Sequence, residues 1–144
     1  MEVKIDYTIK ESIKYCKDKI VIKDKKYFLE NKKSLREILY KDIISSLLEK
    51  KVLYWQEKMN LKALKVSYKK AKRQWGSCSY KNAISLNIYL IMLPPKVIDY
   101  IIVHELAHIV HKNHSKEFWS LVEKFLPNYK SLKKELKIYS SFLS

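Results

Sequence analysis

All four histidines of the 144-residue chain fall between positions 104 and 114. The stretch reads His104-Glu105-Leu106-Ala107-His108-Ile109-Val110-His111-Lys112-Asn113-His114. On a helix, His104 and His108 stand one turn apart on the same face, so two imidazoles can point at one ion. Glu105 lies about 100° round that helix, where it can reach a metal-held water without being a ligand. Two imidazoles that fix zinc and a carboxylate that takes a proton from its water form the His-Glu-x-x-His logic of zinc hydrolases. Such a site needs a third protein ligand and an open fourth position. His111 shares the face if the helix runs on, but at 1.5 Å per residue it stands about 10.5 Å along the axis from His104. Three imidazoles strung that far apart converge poorly. His114 serves if the helix ends near Lys112, with Asn113 in the left-handed conformation of a helix stop. Spacing favours His114; Glu117 and Glu123 are rivals, and Cys78 is a candidate for the fourth position.

The elements that must hold these groups show as changes of period. Val3, Ile5, Tyr7 and Ile9 alternate as in a strand, and Ile20-Val21-Ile22 and Tyr27-Phe28-Leu29 are short apolar runs. Ser34 and Glu37 form a capping box, after which Leu35, Ile38, Leu39, Ile43, Leu47, Val52, Trp55 and Met59 predict a long amphipathic helix ending near Asn60. Leu64, Val66 and Tyr68 alternate again. Arg73–Ser79 and Ala83–Asn87 predict two strands joined by a turn at Tyr80-Lys81-Asn82. Pro94-Pro95 opens a helix that is apolar nearly all round to about His111, as a buried central helix should be. A further helix runs from about Lys116 to Leu126, with Phe118 and Trp119 expected to pack it on the histidine helix. Pro127 stops it, and a last helix carries Tyr129, Leu132, Leu136 and Tyr139.

Composition narrows the classes. The one glycine, Gly76, excludes a Walker-type phosphate loop, a dinucleotide fingerprint and a glycine-rich linker. Two cysteines make no disulfide framework. The first residues lack the basic and apolar regions of a secretory signal, and the longest apolar run, Ile88 to Leu93, is far short of the roughly 20 residues needed to cross a bilayer. These features predict one cytoplasmic domain over 1–144, with no membrane partner and a monomeric chain. The net charge is +15, almost wholly from lysine. It leans to the N-terminal half and could attract nucleic acid non-specifically, or simply solvate the surface.

An ordered series of motifs carries a resemblance. Arg73-Gln-Trp-Gly-Ser-Cys-Ser79, Ile84-Ser-Leu-Asn87, Pro94-Pro95, Ile98-Asp-Tyr-Ile-Ile-Val-His-Glu-Leu-Ala-His108, Asn113-His-Ser115, Phe118-Trp119 and Pro127-Asn-Tyr-Lys130 resemble the YgjP-like family of zinc metallopeptidases, itself similar to SprT and WLM metalloprotease domains. The resemblance covers roughly residues 33–140. It implies an α+β, zincin-like fold: a small mixed or antiparallel sheet packed on a long N-terminal helix and on a buried His-Glu-x-x-His helix, followed by C-terminal helices. Residues 1–30 would be a short N-terminal strand region and 31–144 the catalytic core. The resemblance also implies Zn2+ as cofactor and His114 as third ligand. Better-known zincins of this spacing carry glycine where this chain has His111, so the turn here must be made without it.

By the same resemblance, the strand from Ile84 through Ser85 to Asn87 could pair with an extended substrate backbone, with Trp75 and Gly76 flanking it; Gly76 suits a bulge or a close approach. Arg73, Asn87 and His111 are candidates for stabilising an oxyanion. The leading expectation is a zinc metallopeptidase acting on a protein or peptide, with Glu105 as general base. The alternatives are a basic nucleic-acid-binding module with a structural or vestigial zinc, and a protease acting on DNA-bound proteins.

Overall fold

Leu48, Val52, Trp55 and Met59 recur every three or four residues and are all buried, so they form the core-facing stripe of a helix. In the structure, a computed structural model that describes residues 41–140, this helix is α1 (Lys41–Met59). Asn60 ends it at φ 53°. Its N–H reaches the Glu57 carbonyl at 3.2 Å and the Leu61 N–H reaches the Gln56 carbonyl at 3.0 Å, the paired bonds of a Schellman stop with asparagine in place of glycine. The strands expected before residue 30 and the capping box at Ser34 and Glu37 lie outside the described residues.

Three short strands follow: β1 (Lys65–Lys69), β2 (Gly76–Cys78) and β3 (Ala83–Asn87). Their order is β1-β3-β2, with β3 parallel to β1 and antiparallel to β2. The turn between β2 and β3 falls at the expected place. Asn82 takes φ 69°, the left-handed conformation that asparagine tolerates, and its carbonyl accepts from the Leu64 N–H at 2.9 Å. The apolar run after β3 is a buried 3-10 helix, Ile88–Met92.

Helix α2 (Pro95–Ala107) starts with proline in its first turn, where the missing N–H costs nothing. It is the buried central helix that its all-round apolar sequence requires. Asp99 ties it to α1: one carboxylate oxygen accepts from Lys51 Nζ at 2.9 Å and from Trp55 Nε1 at 3.0 Å. Helices α3 (Lys116–Phe125) and α4 (Tyr129–Ser140) also pack on α2. Among the described residues, no helix is long and apolar enough to cross a membrane.

Candidate metal centre

The histidine helix ends sooner than its sequence suggests. Regular α geometry stops at Ala107, and His108 is the C-cap. The next N–H groups tighten onto carbonyls three residues back: His108 to Glu105 at 3.2 Å, Ile109 to Leu106 at 3.0 Å and Val110 to Ala107 at 3.1 Å. Such 3-10 bonds satisfy the orphan carbonyls of a helix end. The expected left-handed Asn113 is not there. Among the described residues only Asn60 and Asn82 have positive φ without being glycine. A tightening helix end turns the chain with no special residue, so no glycine is needed at His111.

The chain then reverses into α3, whose N-cap Ser115 accepts from the Phe118 N–H at 3.2 Å. The reversal brings His114 back to the helix. His114 Nε2 lies 3.2 Å from His104 Nε2 and 3.2 Å from His108 Nε2. Ligands held at 2.0–2.1 Å around a tetrahedral ion stand about 3.3 Å apart, so the three nitrogens are spaced to share one. His108 Nδ1 is 2.9 Å from the His111 carbonyl. A carbonyl only accepts, so Nδ1 carries the proton and the lone pair of Nε2 points into the cluster. Burial first, and then the neighbouring imidazoles and Lys133, push His104 down to about 3. Burial also lowers His108. Both rings are therefore neutral at pH 7, the form that binds metal. His104, His108 and His114 form a group able to hold a metal ion; Cys78, Glu117 and Glu123 are not in it.

Aromatic rings fix the imidazoles. The buried Phe118 ring stacks on His108 at 4.4 Å and meets His104 edge-on at 5.0 Å. Trp119 stacks on His114 at 5.9 Å and on Tyr129 at 5.2 Å, with Lys133 Nζ 4.4 Å above the indole. Phe118 and Trp119 thus do more than join two helices: they wall the histidines.

Glu105 is 7% exposed, and burial pushes its carboxyl up to about 7. Gly76 is its neighbour. A Cβ at Gly76 would stand 3.1 Å from Glu105 Cγ and 3.2 Å from its Oε2, tight enough that the glutamate would have to shift by a few tenths of an ångström. The Gly76 end of β2 and Trp75 border a cleft with His104 and Glu105.

Of the other expected substrate residues, Ile84, Ser85 and Asn87 are not at the cleft. Their strand β3 is paired on both edges, Ile84 with Val66 and Cys78, and Ser85 with Ser67 and Ser77. No edge remains there for a substrate. Asn87 is 1% exposed; its amide donates to the carbonyls of Ala71 and Gln74 at 2.9 Å each and accepts from the Tyr89 N–H at 3.0 Å. It is a structural brace and has no capacity left for an oxyanion. His111 contributes its carbonyl to His108, and its ring is not in the cluster. Among the described residues β1 and β2 are the two edge strands, and β2 is the one whose Gly76 end borders the cleft. Asn87 N–H bonds the Trp75 carbonyl and Ser79 N–H bonds the Ala83 carbonyl, so by antiparallel alternation the backbone groups of Gly76 and Cys78 face away from β3.

Sequence reasoning missed Tyr100, Ile101 and Leu136 as cleft walls. Tyr100 was findable, one turn before His104. Leu136, on a helix remote in sequence, carries no local signal.

The sequence matches the family described as YgjP-like, metallopeptidase domain, over residues 1–139. No curated protein matches it. Among solved structures it is similar to the metallopeptidase zymogen of Methanocaldococcus jannaschii jannalysin, with TM-score 0.56, 24% identity, and coverage of 65% of this chain and 95% of that one. It is also similar to the metallopeptidase zymogen of Pyrococcus abyssi abylysin, with TM-score 0.56, 26% identity, and coverage of 62% and 90%.

Proposed function

The chain belongs to the YgjP-like metallopeptidase family, and from that premise we propose that it is a zinc-dependent peptidase in which His104, His108 and His114 hold the metal and Glu105 is the general base. The observation that carries the reading is that His114 Nε2 lies 3.2 Å from both His104 Nε2 and His108 Nε2, with the ligand atoms of all three within 4.8 Å of one another. Among the described residues, two imidazoles from one helix and a third from the following reversal make up the whole group, which keeps a fourth position open where a structural zinc is closed by four protein ligands. This favours catalysis over the reading as a nucleic-acid module with a structural ion.

Bound zinc supplies a Lewis acid that acidifies a water and polarises the scissile carbonyl. The remaining work falls to the chain. Glu105, raised towards neutrality by burial, is suited to take a proton from that water and return it to the leaving amine. Gly76 gives its carboxylate space. The outward backbone groups of Gly76 and Cys78 offer an extended peptide a short antiparallel partner.

The test is metal content with turnover. Purified protein should bind about one zinc per chain. Glu105→Gln should keep it and lose about 10²- to 10⁴-fold in kcat. His114→Ala should lose the metal and His111→Ala should retain it. Full activity in Glu105→Gln, or metal loss only in His111→Ala, would overturn the assignment.

A further inference from the structure

Acids are unevenly placed along the chain. From residue 58 to residue 98 there is no aspartate or glutamate, against nine lysines and arginines. This stretch holds all three described strands. Its positive charge is densest between β1 and β2, where Lys69, Lys70, Lys72 and Arg73 fall within five residues and are all exposed. Because β3 lies between β1 and β2 in the sheet, residues 70–75 cross its Asn87 end. Asn87 braces the crossing through its two bonds to the Ala71 and Gln74 carbonyls, and Lys72 and Arg73 lie between those anchors. A braced loop presents its charges with little backbone left to order on binding. The one ion pair among the described residues joins Lys51 to Asp99, so no described carboxylate neutralises the four cations. Glu49 acts on Tyr68 of β1 but pairs with none of them. The loop runs directly into β2, and Gln74, next to Arg73, borders the cleft.

We propose that this basic loop is an exosite, outside the cleft, for an acidic segment of the polypeptide being cleaved, on the carboxyl side of the scissile bond. The inference rests on the peptidase reading above and on antiparallel pairing at β2. A peptide antiparallel to β2 runs from Cys78 towards Gly76, and its carboxyl-side continuation passes Trp75 and Gln74 to reach Arg73. Three residues of extended chain cover about 10 Å, so acids roughly three to six residues beyond the one opposite Gly76 meet the loop. Unneutralised cations there attract an acidic continuation and repel a basic one. The place of the loop at the end of the rim favours a continuation of the bound peptide over a separate polyanion such as nucleic acid.

The test uses the zinc-loaded full chain and one cleavable peptide from a random library, remade with a run of glutamates, glutamines or lysines after or before the scissile bond. Glutamates after the bond should lower KM about 10-fold relative to glutamines with kcat unchanged, and the gain should fade between about 50 mM and 500 mM salt, because exposed charges are screened. Changing Lys69, Lys70, Lys72 and Arg73 together to glutamine should erase the gain at unaltered zinc content. Changing Lys50, Lys124, Lys130 and Lys134, exposed on the helices, should not. Lys72→Glu with Arg73→Glu should turn the preference towards the lysine peptide. A readout independent of turnover is fluorescence anisotropy of labelled alanine-rich peptides ending in glutamates or glutamines, with a thymidine oligonucleotide as rival; the glutamate peptide should bind about 10-fold more tightly than the glutamine one, and only the loop variant should lose this. Equal KM values, a gain from glutamates before the bond, equal loss in both lysine variants, or tighter loop-dependent binding of the oligonucleotide overturns the exosite and leaves the peptidase reading intact. Loop-dependent binding of the glutamate peptide by a chain that cleaves nothing in the library upholds the acidic-segment site and removes the catalytic reading.

Discussion

A single hydrogen atom in place of a side chain decides where Glu105 can stand. At Gly76 a methyl group would approach Glu105 Cγ, Glu105 Oε2 and Leu86 Cδ2 at 3.1, 3.2 and 3.3 Å. Something must give by a few tenths of an ångström, and two of the three crowded atoms belong to Glu105. Misplacing a catalytic group by about 1 Å can cost 10²-fold, so Gly76→Ala should lower kcat about 10-fold while zinc affinity stays unchanged. Steady-state kinetics beside a metal titration check this; an unaltered kcat would mean that the carboxylate position does not matter. At this scale the sequence was most informative for the histidines and Glu105, because spacing on one helix determines direction. It misled at Asn87. An asparagine at a strand end reads equally as a polar group for substrate or as a brace, and only the positions of the Ala71, Gln74 and Tyr89 backbone groups decide between them.

At the scale of elements, the loop that carries His114 is clasped to the β2–β3 turn. Lys112 Nζ donates to the Ser79 carbonyl at 3.3 Å and to the Asn82 carboxamide oxygen. Asn82 can present that oxygen because its backbone is left-handed. The contact is exposed, and exposed charged contacts are worth at most about 1 kcal/mol. Lys112→Met and Asn82→Gly should therefore each weaken zinc binding about 2- to 5-fold. Glycine keeps the turn while deleting the side chain. Because Asn82→Gly removes one of the two contacts that Lys112→Met removes, the double variant should be no weaker than Lys112→Met alone, as competition against a chelator would reveal; additive losses would deny the coupling. The starts of α2 and α3 were legible in the sequence, from Pro95 and from the apolar period that begins at about Lys116. The end of α2 was not, since a helix that stops by tightening its bonds leaves no residue signature. The pairing of β3 on both edges was equally hidden, because alternation reveals a strand and not its neighbours.

For the molecule as a whole, metal and proton compete to set stability. Zinc bound at 1,000 times its Kd adds about 4.1 kcal/mol to folding, so chelation should lower Tm and added Zn2+ should restore it. Without metal, two buried groups act in opposite senses. His104 sits near 3 in the native chain against an ordinary 6.5, so the unfolded chain binds the extra proton and stability falls as pH drops from about 6.5 towards 3. Glu105 sits near 7 against an ordinary 4.5, so the native chain holds the extra proton and stability falls as pH rises from about 4.5 to 7. Metal-free Glu105→Gln keeps only the first effect. Its Tm should gain on that of the parent chain steadily between pH 4.5 and 7, and parallel curves in calorimetry would refute the opposing roles. The +15 charge was the most conspicuous feature of the sequence, yet it meets the histidines only through particular lysines among those described, Lys112 at the His114 loop and Lys133 over the Trp119 ring. Strand β2 has a wider consequence. Three residues at about 3.3 Å each span roughly 10 Å, and only Gly76 and Cys78 turn their backbone groups outward. A rim that short can grip a substrate for barely one repeat of a strand. If a peptide pairs with this rim as proposed, the backbone contributes few hydrogen bonds, so the strand contact alone should give weak ground-state affinity and fast release.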